Sequence, residues 1–204
     1  MGKKKLQEYS KKRDFEATPE PAAEQETTSA KPIWVIQKHE ASNLHYDFRL
    51  EVDGVLKSWS VPKGPATDPR EKRLAIPTED HPLEYAQFEG TIPDGQYGGG
   101  TVMIWDTGIY RNLKSESEDE DREKRSMSEA YDDGHITVFL EEGDKIAGGY
   151  ALIRTDTGDE ERWLLVKMND DQADARRNPV STQPDSVVTG RSLEEIAADE
   201  DEDA

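Results

Sequence analysis

Residues 44–61 read Leu-His-Tyr-Asp-Phe-Arg-Leu-Glu-Val-Asp-Gly-Val-Leu-Lys-Ser-Trp-Ser-Val, and they decide the fold class of this chain. Apolar and polar residues alternate from Leu44 to Val52, which is the pattern of a β-strand with one buried face. Asp53-Gly54 is a preferred two-residue hairpin turn, so a second strand is predicted at Val55–Val61. The predicted cross-strand partners are Phe48–Trp59 and Tyr46–Val61 on the apolar face, and Arg49–Ser58 and Asp47–Ser60 on the polar face.

Further strand patterns lie on both sides of this hairpin and are separated by Gly, Pro and Asp turns. They are predicted at Ile33–Ile36, Arg73–Ile76, Thr101–Trp105, Ile136–Leu140, Gly149–Arg154 and Trp163–Lys167. Short helices are predicted at Leu6–Lys12 and after Ser192, where Ser192-Leu-Glu-Glu195 forms a capping box. The sequence therefore predicts a mainly β fold, a closed or nearly closed antiparallel β-barrel with short flanking helices and a disordered acidic tail.

Three parts of the chain differ in composition. Residues 1–30 are predicted to be an N-terminal arm that contributes to the site, with an extended linker at Thr18–Thr28. Residues 31–170 carry the strand patterns of the barrel domain, and residues 171–204 form a C-terminal extension. Within the barrel domain, residues 115–131 are predicted to be an acidic loop or short helix.

Bulk composition narrows the function classes. The 204 residues contain no cysteine, which excludes disulfides, zinc–thiolate sites and cysteine nucleophiles. No apolar run is long enough to span a membrane, and the lysine-rich N-terminus lacks the apolar segment of a signal peptide. We therefore expect a soluble cytoplasmic protein without a membrane partner.

The net charge of −19 is unusual for a protein that binds nucleic acid, because phosphates repel acidic side chains. Residues 115–144 contain 12 acidic and 3 basic residues, the last twelve contain 7 acidic and no basic ones, and residues 31–110 contain 12 and 8. We expect these acids to form a solvated surface. Adaptation to a salty cytoplasm is a sharper hypothesis, because at about 1 M salt the Debye length falls to roughly 3 Å.

Two histidines and an aspartate form the spacing His39-x5-His45-x-Asp47. On a strand His45 and Asp47 project from the same face, and His39 lies at the end of the preceding strand, from which it can complete the set. Two imidazoles and one carboxylate leave positions open for water or substrate, which suits catalytic Mn²⁺, Fe²⁺ or Zn²⁺. Taken alone, the spacing also fits two surface histidines that flank an exposed strand.

Cationic side chains accompany this trio. Arg49 shares its strand face, and Lys63 lies in a Pro-Lys-Gly-Pro segment after the hairpin. Arg73 begins the next strand pattern and is followed at even spacing by Glu79 and His81. Because Arg and Lys are suited to clamp a phosphate, these residues predict a phosphoryl-transfer site on one face of the barrel.

Two other patterns lack the residues that their motifs need. Gly95-x-x-Gly-Gly-Gly100 is followed by a strand pattern and by no Gly-Lys-Ser/Thr, so it predicts a tight turn and not a phosphate loop. Glu51-Val-Asp-Gly54 is similar to the K-x-D-G motif of nucleotidyl-transferring ligases, but Glu51 occupies the position of the nucleophilic lysine. This replacement argues against ligation by this chain alone.

Six longer stretches of the chain match motifs of a known family. They begin with Gln37-Lys-His-Glu-Ala-Ser-Asn-Leu-His-Tyr-Asp-Phe-Arg-Leu-Glu51. The others are Asp53-Gly-Val-Leu-Lys-Ser-Trp-Ser-Val-Pro-Lys-Gly-Pro65, Glu79-Asp-His-Pro-Leu-Glu-Tyr85, Phe88-Glu-Gly-Thr-Ile-Pro-Asp-Gly-Gln-Tyr-Gly98, Lys12-Arg-Asp-Phe15 and Thr18-Pro-Glu-Pro21. Together these stretches closely resemble the 3′-phosphoesterase module of bacterial DNA ligase D and its freestanding archaeal relatives, and the resemblance extends over residues 9–197.

The resemblance implies a Mn²⁺-dependent enzyme on a β-barrel, with Co²⁺ or Zn²⁺ as other candidate metals. Such an enzyme heals 3′ ends in DNA repair by removing a 3′-terminal ribonucleoside and then the remaining 3′-phosphate, which leaves a 3′-OH. The implied substrate is a primer-template with a 3′-ribonucleotide or a 3′-phosphate. Separate DNA ligase and polymerase or primase proteins are the implied partners.

The resemblance also implies roles for individual residues. The metal ligands are His39, His45 and Asp47. The phosphate-contacting and catalytic residues are Arg49, Lys63, Arg73 and His81, with Glu79 or Tyr85 expected to orient His81. The supporting residues are Gln37, Arg13, Asp14 and Glu20, to which the predicted hairpin register adds Ser58 opposite Arg49.

Two other function classes remain open. A non-haem iron oxygenase also uses two histidines and one carboxylate, usually with a distant third ligand, and oxygen consumption with Fe²⁺ would reveal it. A non-catalytic accessory module that binds 3′ ends would lack a metal ligand or the catalytic histidine, and none of these residues is missing here.

Overall fold

The computed structural model describes residues 6–22, 30–116, 124–156, 158 and 160–202. Eight antiparallel strands close into a β-barrel in the order β1–β2–β3–β4–β9–β8–β7–β6, because β6 also pairs with β1. The short β5 pairs with the start of β6 outside this ring. The strands are β1 (Ile33–Glu40), β2 (Leu44–Val52), β3 (Val55–Val61), β4 (Lys72–His81), β5 (Gly90–Ile92), β6 (Gly100–Asn112), β7 (His135–Glu141), β8 (Gly148–Asp156) and β9 (Arg162–Lys167). The predicted antiparallel β-barrel is therefore confirmed.

The hairpin of β2 and β3 has the predicted register. All four predicted cross-strand pairs are present, including Arg49 opposite Ser58. Asp53 and Gly54 have φ angles of 49° and 77°, the left-handed conformations that a tight two-residue hairpin turn requires. The turn therefore fixes which side chains of β2 point outward.

Two apolar clusters hold the fold together. The barrel interior is filled by large side chains that are at most 1% exposed, among them Trp34, Phe48, Trp59, Trp105 and Trp163. A second cluster lies outside the barrel and includes Tyr9, Val35, Leu56, Tyr85 and Ile104. It joins the outer face of the barrel to helix α1 (Gln7–Lys11) and to a 3-10 helix (Leu83–Gln87).

The remaining helices are short. Helix α2 (Met127–Asp132) lies in the predicted acidic segment, of which residues 117–123 are outside the described residues. Helix α3 spans Pro179–Thr182, and α4 spans Leu193–Glu202. None of the described helices is long and apolar enough to cross a membrane.

Helix α4 begins at the predicted capping box. The Ser192 backbone N–H donates to the Glu195 carboxylate at 2.8 Å, and the Glu195 N–H donates to Ser192 Oγ at 3.2 Å. The helix continues to Glu202, although the sequence predicted a short helix followed by a disordered tail. Ala and Glu are good helix formers, so the acidic composition does not end the helix.

Candidate functional site

The predicted metal-binding trio lies on the outer face of the barrel, where the end of β1 pairs with the start of β2. His39 is the cross-strand partner of His45, and the two ring centroids are 4.8 Å apart. Asp47 follows His45 by two residues and therefore projects from the same face. One ligand atom from each of the three lies within 4.8 Å of the others, so the trio can hold one metal ion.

The surroundings of the two histidines fit metal binding. His45 Nδ1 lies 2.9 Å from the Asn43 carbonyl, so it donates there and leaves a lone pair on Nε2, 3.6 Å from Asp47 Oδ1. His39 Nδ1 lies 3.7 Å from Asp47 Oδ2, and His39 Nε2 is buried with no hydrogen-bond partner among the described residues. The distances from the two imidazoles to the Asp47 carboxylate are longer than those of hydrogen bonds. A cation between the imidazole nitrogens and the carboxylate oxygens would satisfy their lone pairs.

Arg49 lies beside the trio and is only 2% exposed. Its guanidinium donates to Asp47 Oδ2 at 3.1 Å, to Ser58 Oγ at 2.8 Å and to Gln37 Oε1 at 2.7 Å. Burial alone would raise the pKa of Asp47, but the Arg49 charge and the contacts with the two histidines hold that pKa below its ordinary value. Asp47 is thus an anion at neutral pH, as a metal ligand must be.

His81 faces Arg49 from the end of β4. Its Nδ1 lies 2.8 Å from the Glu79 carbonyl, and its Nε2 lies 3.3 Å from Arg13 Nη2. Because a carbonyl only accepts and a guanidinium only donates, His81 carries its proton on Nδ1 and a lone pair on Nε2. Its Nδ1 is also 3.1 Å from Arg49 Nη1, which is then a contact between two donors.

The charge state of His81 follows from these surroundings. Burial, followed by the charges of Arg49 and Arg13, lowers the pKa of His81 well below its ordinary value. The imidazole is therefore neutral at pH 7. Its ring also packs edge-on against Tyr85, with the ring centroids 4.7 Å apart.

The N-terminal arm closes one side of the site through buried ion pairs. Arg13 donates to Glu20 at 2.8 Å and to Glu79 at 3.0 Å, and all three side chains are at most 5% exposed. Lys12 reaches Glu79 at 3.0 Å. The Tyr9 ring packs against His81, with the centroids 5.1 Å apart. The arm is therefore fixed to β4 by charge pairs that are largely shielded from water.

An open cavity of about 200 Å³ joins these groups. Its lining includes eight of the predicted site residues, namely Arg13, His39, His45, Asp47, Arg49, Glu79, His81 and Tyr85. Gln37 and Ser58 support the lining by bonding Arg49, and Glu20 supports it by bonding Arg13. Gln37 also donates to the Tyr85 and Phe88 carbonyls at 2.9 Å each, so it ties β1 to the 3-10 helix.

Three predicted residues lie away from the cavity lining. Lys63 is exposed beyond the end of β3, and Asp14 is exposed on the arm. Arg73 forms an ion pair with Glu71. None of the three lines the cavity.

The position of Arg73 has a definite cause. It lies two residues before Ala75, which is buried in the barrel core opposite Trp163, so Arg73 shares the inner face of β4. The register of β3 and β4 shifts by one residue between the pairs Ser58–Thr78 and Leu56–His81. This irregularity turns His81 to the outer face, so the even spacing of 73, 79 and 81 does not place Arg73 with His81.

Six further residues line the cavity that the sequence did not predict as site residues, namely Ala41, Ser60, Thr78, Ile92, Tyr97 and Gly98. Thr78 follows from its pairing with Ser58 once the register is known. Tyr97 and Gly98 lie in the glycine-rich segment, which forms a turn as predicted. That turn packs on the trio, because a Cβ at Gly98 would lie 3.9 Å from His39 Cε1. No local pattern predicts this long-range contact.

Comparison with known proteins adds a family assignment to this geometry. The family profile described as the DNA Ligase D 3′-phosphoesterase domain matches residues 37–154. The chain is 46% identical over 195 residues to the multifunctional non-homologous end joining protein LigD of Pseudomonas aeruginosa, which covers 93% of this chain and 22% of that protein.

Two other relatives match the chain with similar identity and coverage. The chain is 47% identical over 173 residues to the multifunctional non-homologous end joining DNA repair protein LigD of Mycobacterium tuberculosis, covering 80% of this chain and 20% of that protein. For the LigD protein of Mycolicibacterium smegmatis the identity is 42% over 174 residues, covering 84% and 21%. The chain thus spans about a fifth of the length of the curated relatives it matches. These three relatives are bacterial.

Proposed function

We propose that this chain, which belongs to the DNA ligase D 3′-phosphoesterase domain family, is a metal-dependent hydrolase that heals 3′ ends in DNA end joining. The observation that carries the proposal is that three functional groups line the same cavity. The metal-binding trio, the buried Arg49 and the neutral His81 all line it. A cation site beside a fixed guanidinium and an imidazole suits the charge that develops on a phosphate during hydrolysis.

The proposed reaction has two steps. A phosphodiesterase step removes a 3′-terminal ribonucleoside and leaves a 3′-phosphate, and a phosphomonoesterase step then removes that phosphate and leaves a 3′-OH. The substrate is a primer-template end, and separate polymerase and ligase proteins would use the product. The relatives in Pseudomonas aeruginosa and Mycobacterium tuberculosis are named for non-homologous end joining, which supports this setting.

His39, His45 and Asp47 would hold the metal, which we propose to be Mn²⁺, with Co²⁺ and Zn²⁺ as the other candidates. When bound, such an ion supplies Lewis acidity toward a phosphate oxygen. Arg49 neutralises charge on the phosphate, and its bonds to Gln37 and Ser58 fix its orientation in advance.

We propose that His81 transfers a proton to the leaving oxygen. Its neutral Nε2 can accept a proton, and the negative charge of a bound phosphate would raise the pKa of His81 so that the ring can protonate the leaving oxygen. That oxygen is the 5′-oxygen of the nucleoside in the first step and the 3′-oxygen of the primer in the second. The Glu79 carbonyl orients the ring through Nδ1, and Tyr85 packs against it. Arg13 and Glu20 hold the arm over the site. The roles implied for Lys63, Arg73 and Asp14 stay predictions.

The test uses a labelled primer-template that ends in one ribonucleotide, incubated with and without Mn²⁺. We expect stepwise conversion to a 3′-phosphate end and then to a 3′-OH end. The substitution His45→Ala should abolish both steps, whereas His135→Ala, at an exposed histidine of β7, should retain both. Full phosphatase activity of the His45→Ala variant with Mn²⁺ would show that the site assignment is wrong.

A further inference from the structure

We propose that Tyr97 is a stacking subsite for the base of the terminal nucleoside that the first step releases; this inference rests on the proposed function. Two tyrosines line the cavity, and they differ in exposure. Tyr85 is 2% exposed, whereas Tyr97 is 46% exposed. Tyr97 therefore presents an aromatic surface to whatever lies at the mouth of the cavity.

The Tyr97 ring is held in place before any ligand binds. Its hydroxyl accepts a hydrogen bond from Lys12 Nζ at 3.1 Å and donates one to Glu79 Oε2 at 3.3 Å. The Lys12 ammonium also lies 4.5 Å from the ring centroid. The next residue, Gly98, packs on His39. A ring fixed by the arm, by β4 and by the metal-binding trio loses little conformational freedom when a base stacks on it.

The size of the cavity places the base at its mouth. Pockets that enclose a whole small molecule usually have volumes of roughly 300–1,000 Å³. This cavity is smaller, at about 200 Å³, and the trio, Arg49 and His81 line it. It can therefore enclose the phosphate and the adjoining sugar atoms, while the attached base stays outside, next to the exposed ring of Tyr97.

The base that can stack on Tyr97 is the one whose outer face is not covered by a neighbouring base. Bases inside a duplex are stacked on both sides, and only the terminal base has an open face for an aromatic side chain. Before the first step that base belongs to the leaving nucleoside. After the first step it is gone and the 3′-phosphate is terminal. Stacking on Tyr97 should therefore favour the diester substrate over the monoester.

The experiment compares kcat/KM for three primer-template substrates: one with a single 3′-ribonucleoside, one with an abasic ribose in its place, and one with a 3′-phosphate. The substitution Tyr97→Leu removes the ring but keeps an apolar side chain, and Tyr97→Phe keeps the ring but removes the hydroxyl. For Tyr97→Leu we expect the ratio of ribonucleoside to phosphate substrate to fall about tenfold. The ratio for Tyr97→Phe should fall much less, because stacking needs the ring, and the Lys12 ammonium that lies 4.5 Å from the ring centroid does not need the hydroxyl to contact it.

Three results would overturn the inference. An unchanged ratio in Tyr97→Leu would show that the ring does not contact the base. An equal loss on all three substrates would mean that the ring supports the upstream strand or the fold. A tenfold loss on the abasic substrate as well would mean that Tyr97 contacts the sugar. Failure of the proposed function is seen separately, because the wild-type protein would then convert none of the three substrates with Mn²⁺.

Discussion

At the scale of single residues, Arg49 is a buried cation whose partners come from three adjacent strands. Gln37 lies on β1, Asp47 on β2 and Ser58 on β3, and each accepts from a different nitrogen of the guanidinium. Lysine carries the same charge but cannot reproduce this fork. Arg49 therefore connects the strands as well as facing the cavity.

Removing Arg49 should cost stability as well as activity. Arg49→Met leaves the Asp47 carboxylate buried without its cation, which we expect to lower the free energy of unfolding by about 3–5 kcal/mol. Arg49→Lys should lose less, since it keeps the charge. Urea unfolding measures the difference. As a control, Lys11→Met removes the cation of an ion pair with Glu8 whose side chains are 67% and 62% exposed, and should cost at most about 1 kcal/mol. Equal losses in Arg49→Met and Lys11→Met would contradict this role.

His81 should make stability depend on pH in one direction. Its folded-state pKa is lowered, whereas in the unfolded chain it has the ordinary value of about 6.5. Below pH 6.5 the unfolded chain takes up a proton that the folded chain does not. The free energy of unfolding then falls by up to about 1.4 kcal/mol per pH unit from this group, and above that pH the contribution is constant.

Urea unfolding of the metal-free protein at pH 7 and pH 5.5 tests this linkage. We expect the wild type to lose about 1–2 kcal/mol more than His81→Gln over this interval. The control is His135→Gln, because His135 is exposed and its pKa is lowered only by partial burial and by Lys114. The same pH dependence in His81→Gln and wild type would show that His81 is not buried in its neutral form.

At the scale of elements, β2, β3 and β4 show how far the sequence predicts the site. The β2–β3 hairpin is predicted in full, because the Asp53-Gly54 turn sets its register and alternation assigns its faces. Alternation along β2 places His45, Asp47 and Arg49 on one face, and the pairing of β1 with β2 adds His39. Strand β4 was predicted only at Arg73–Ile76, and it extends to His81 through a register shift that no local residue pattern signals. The positions of Arg73, His81 and Tyr97 depend on such long-range packing.

The antiparallel pairing of β1 with β6 gives a prediction at the same scale. Gly100 begins β6 with φ +134°, and a Cβ there would lie 2.1 Å from the Glu40 carbonyl oxygen, next to His39. Gly100→Ala should therefore push the end of β1 away, destabilise the fold by well over 1 kcal/mol and weaken Mn²⁺ binding. Urea unfolding and Mn²⁺ titration measure both effects. Gly95→Ala is the matched control, because φ is +86° there but no atom lies within 4 Å. Identical effects at both positions would contradict the proposed clash.

At the scale of the whole molecule, the barrel separates the site from the acidic end of β7. The site lies on β1 to β4, whereas Glu141 ends β7 and Glu142 follows it. In the ring of eight strands, β7 is four places from β3 in either direction, which is the greatest separation possible. The proposed nucleic-acid substrate would therefore approach the site on the wall opposite β7, and salt would screen the repulsion that remains.

The net charge of −19 predicts that salt stabilises the fold. Like charges repel one another more in the compact state than in the expanded unfolded chain, so screening should raise the melting temperature. Between 0.1 M and 2 M KCl we expect a rise of at least about 2–4 °C, the shift that roughly 1 kcal/mol produces in a domain of this size. Thermal unfolding followed by circular dichroism measures this rise.

Charge and general salting-out must be separated, since both stabilise folded proteins. Changing Glu118, Asp119, Glu120 and Asp121 to the corresponding amides removes four negative charges, so the net charge becomes −15. These four positions lie outside the described residues, and the prediction rests on their charge alone. If repulsion is the cause, this variant melts higher than wild type at 0.1 M KCl and gains less from added salt. Equal gains in the two proteins would attribute the effect to salting-out, and a wild-type melting temperature that does not rise would contradict adaptation to a salty cytoplasm.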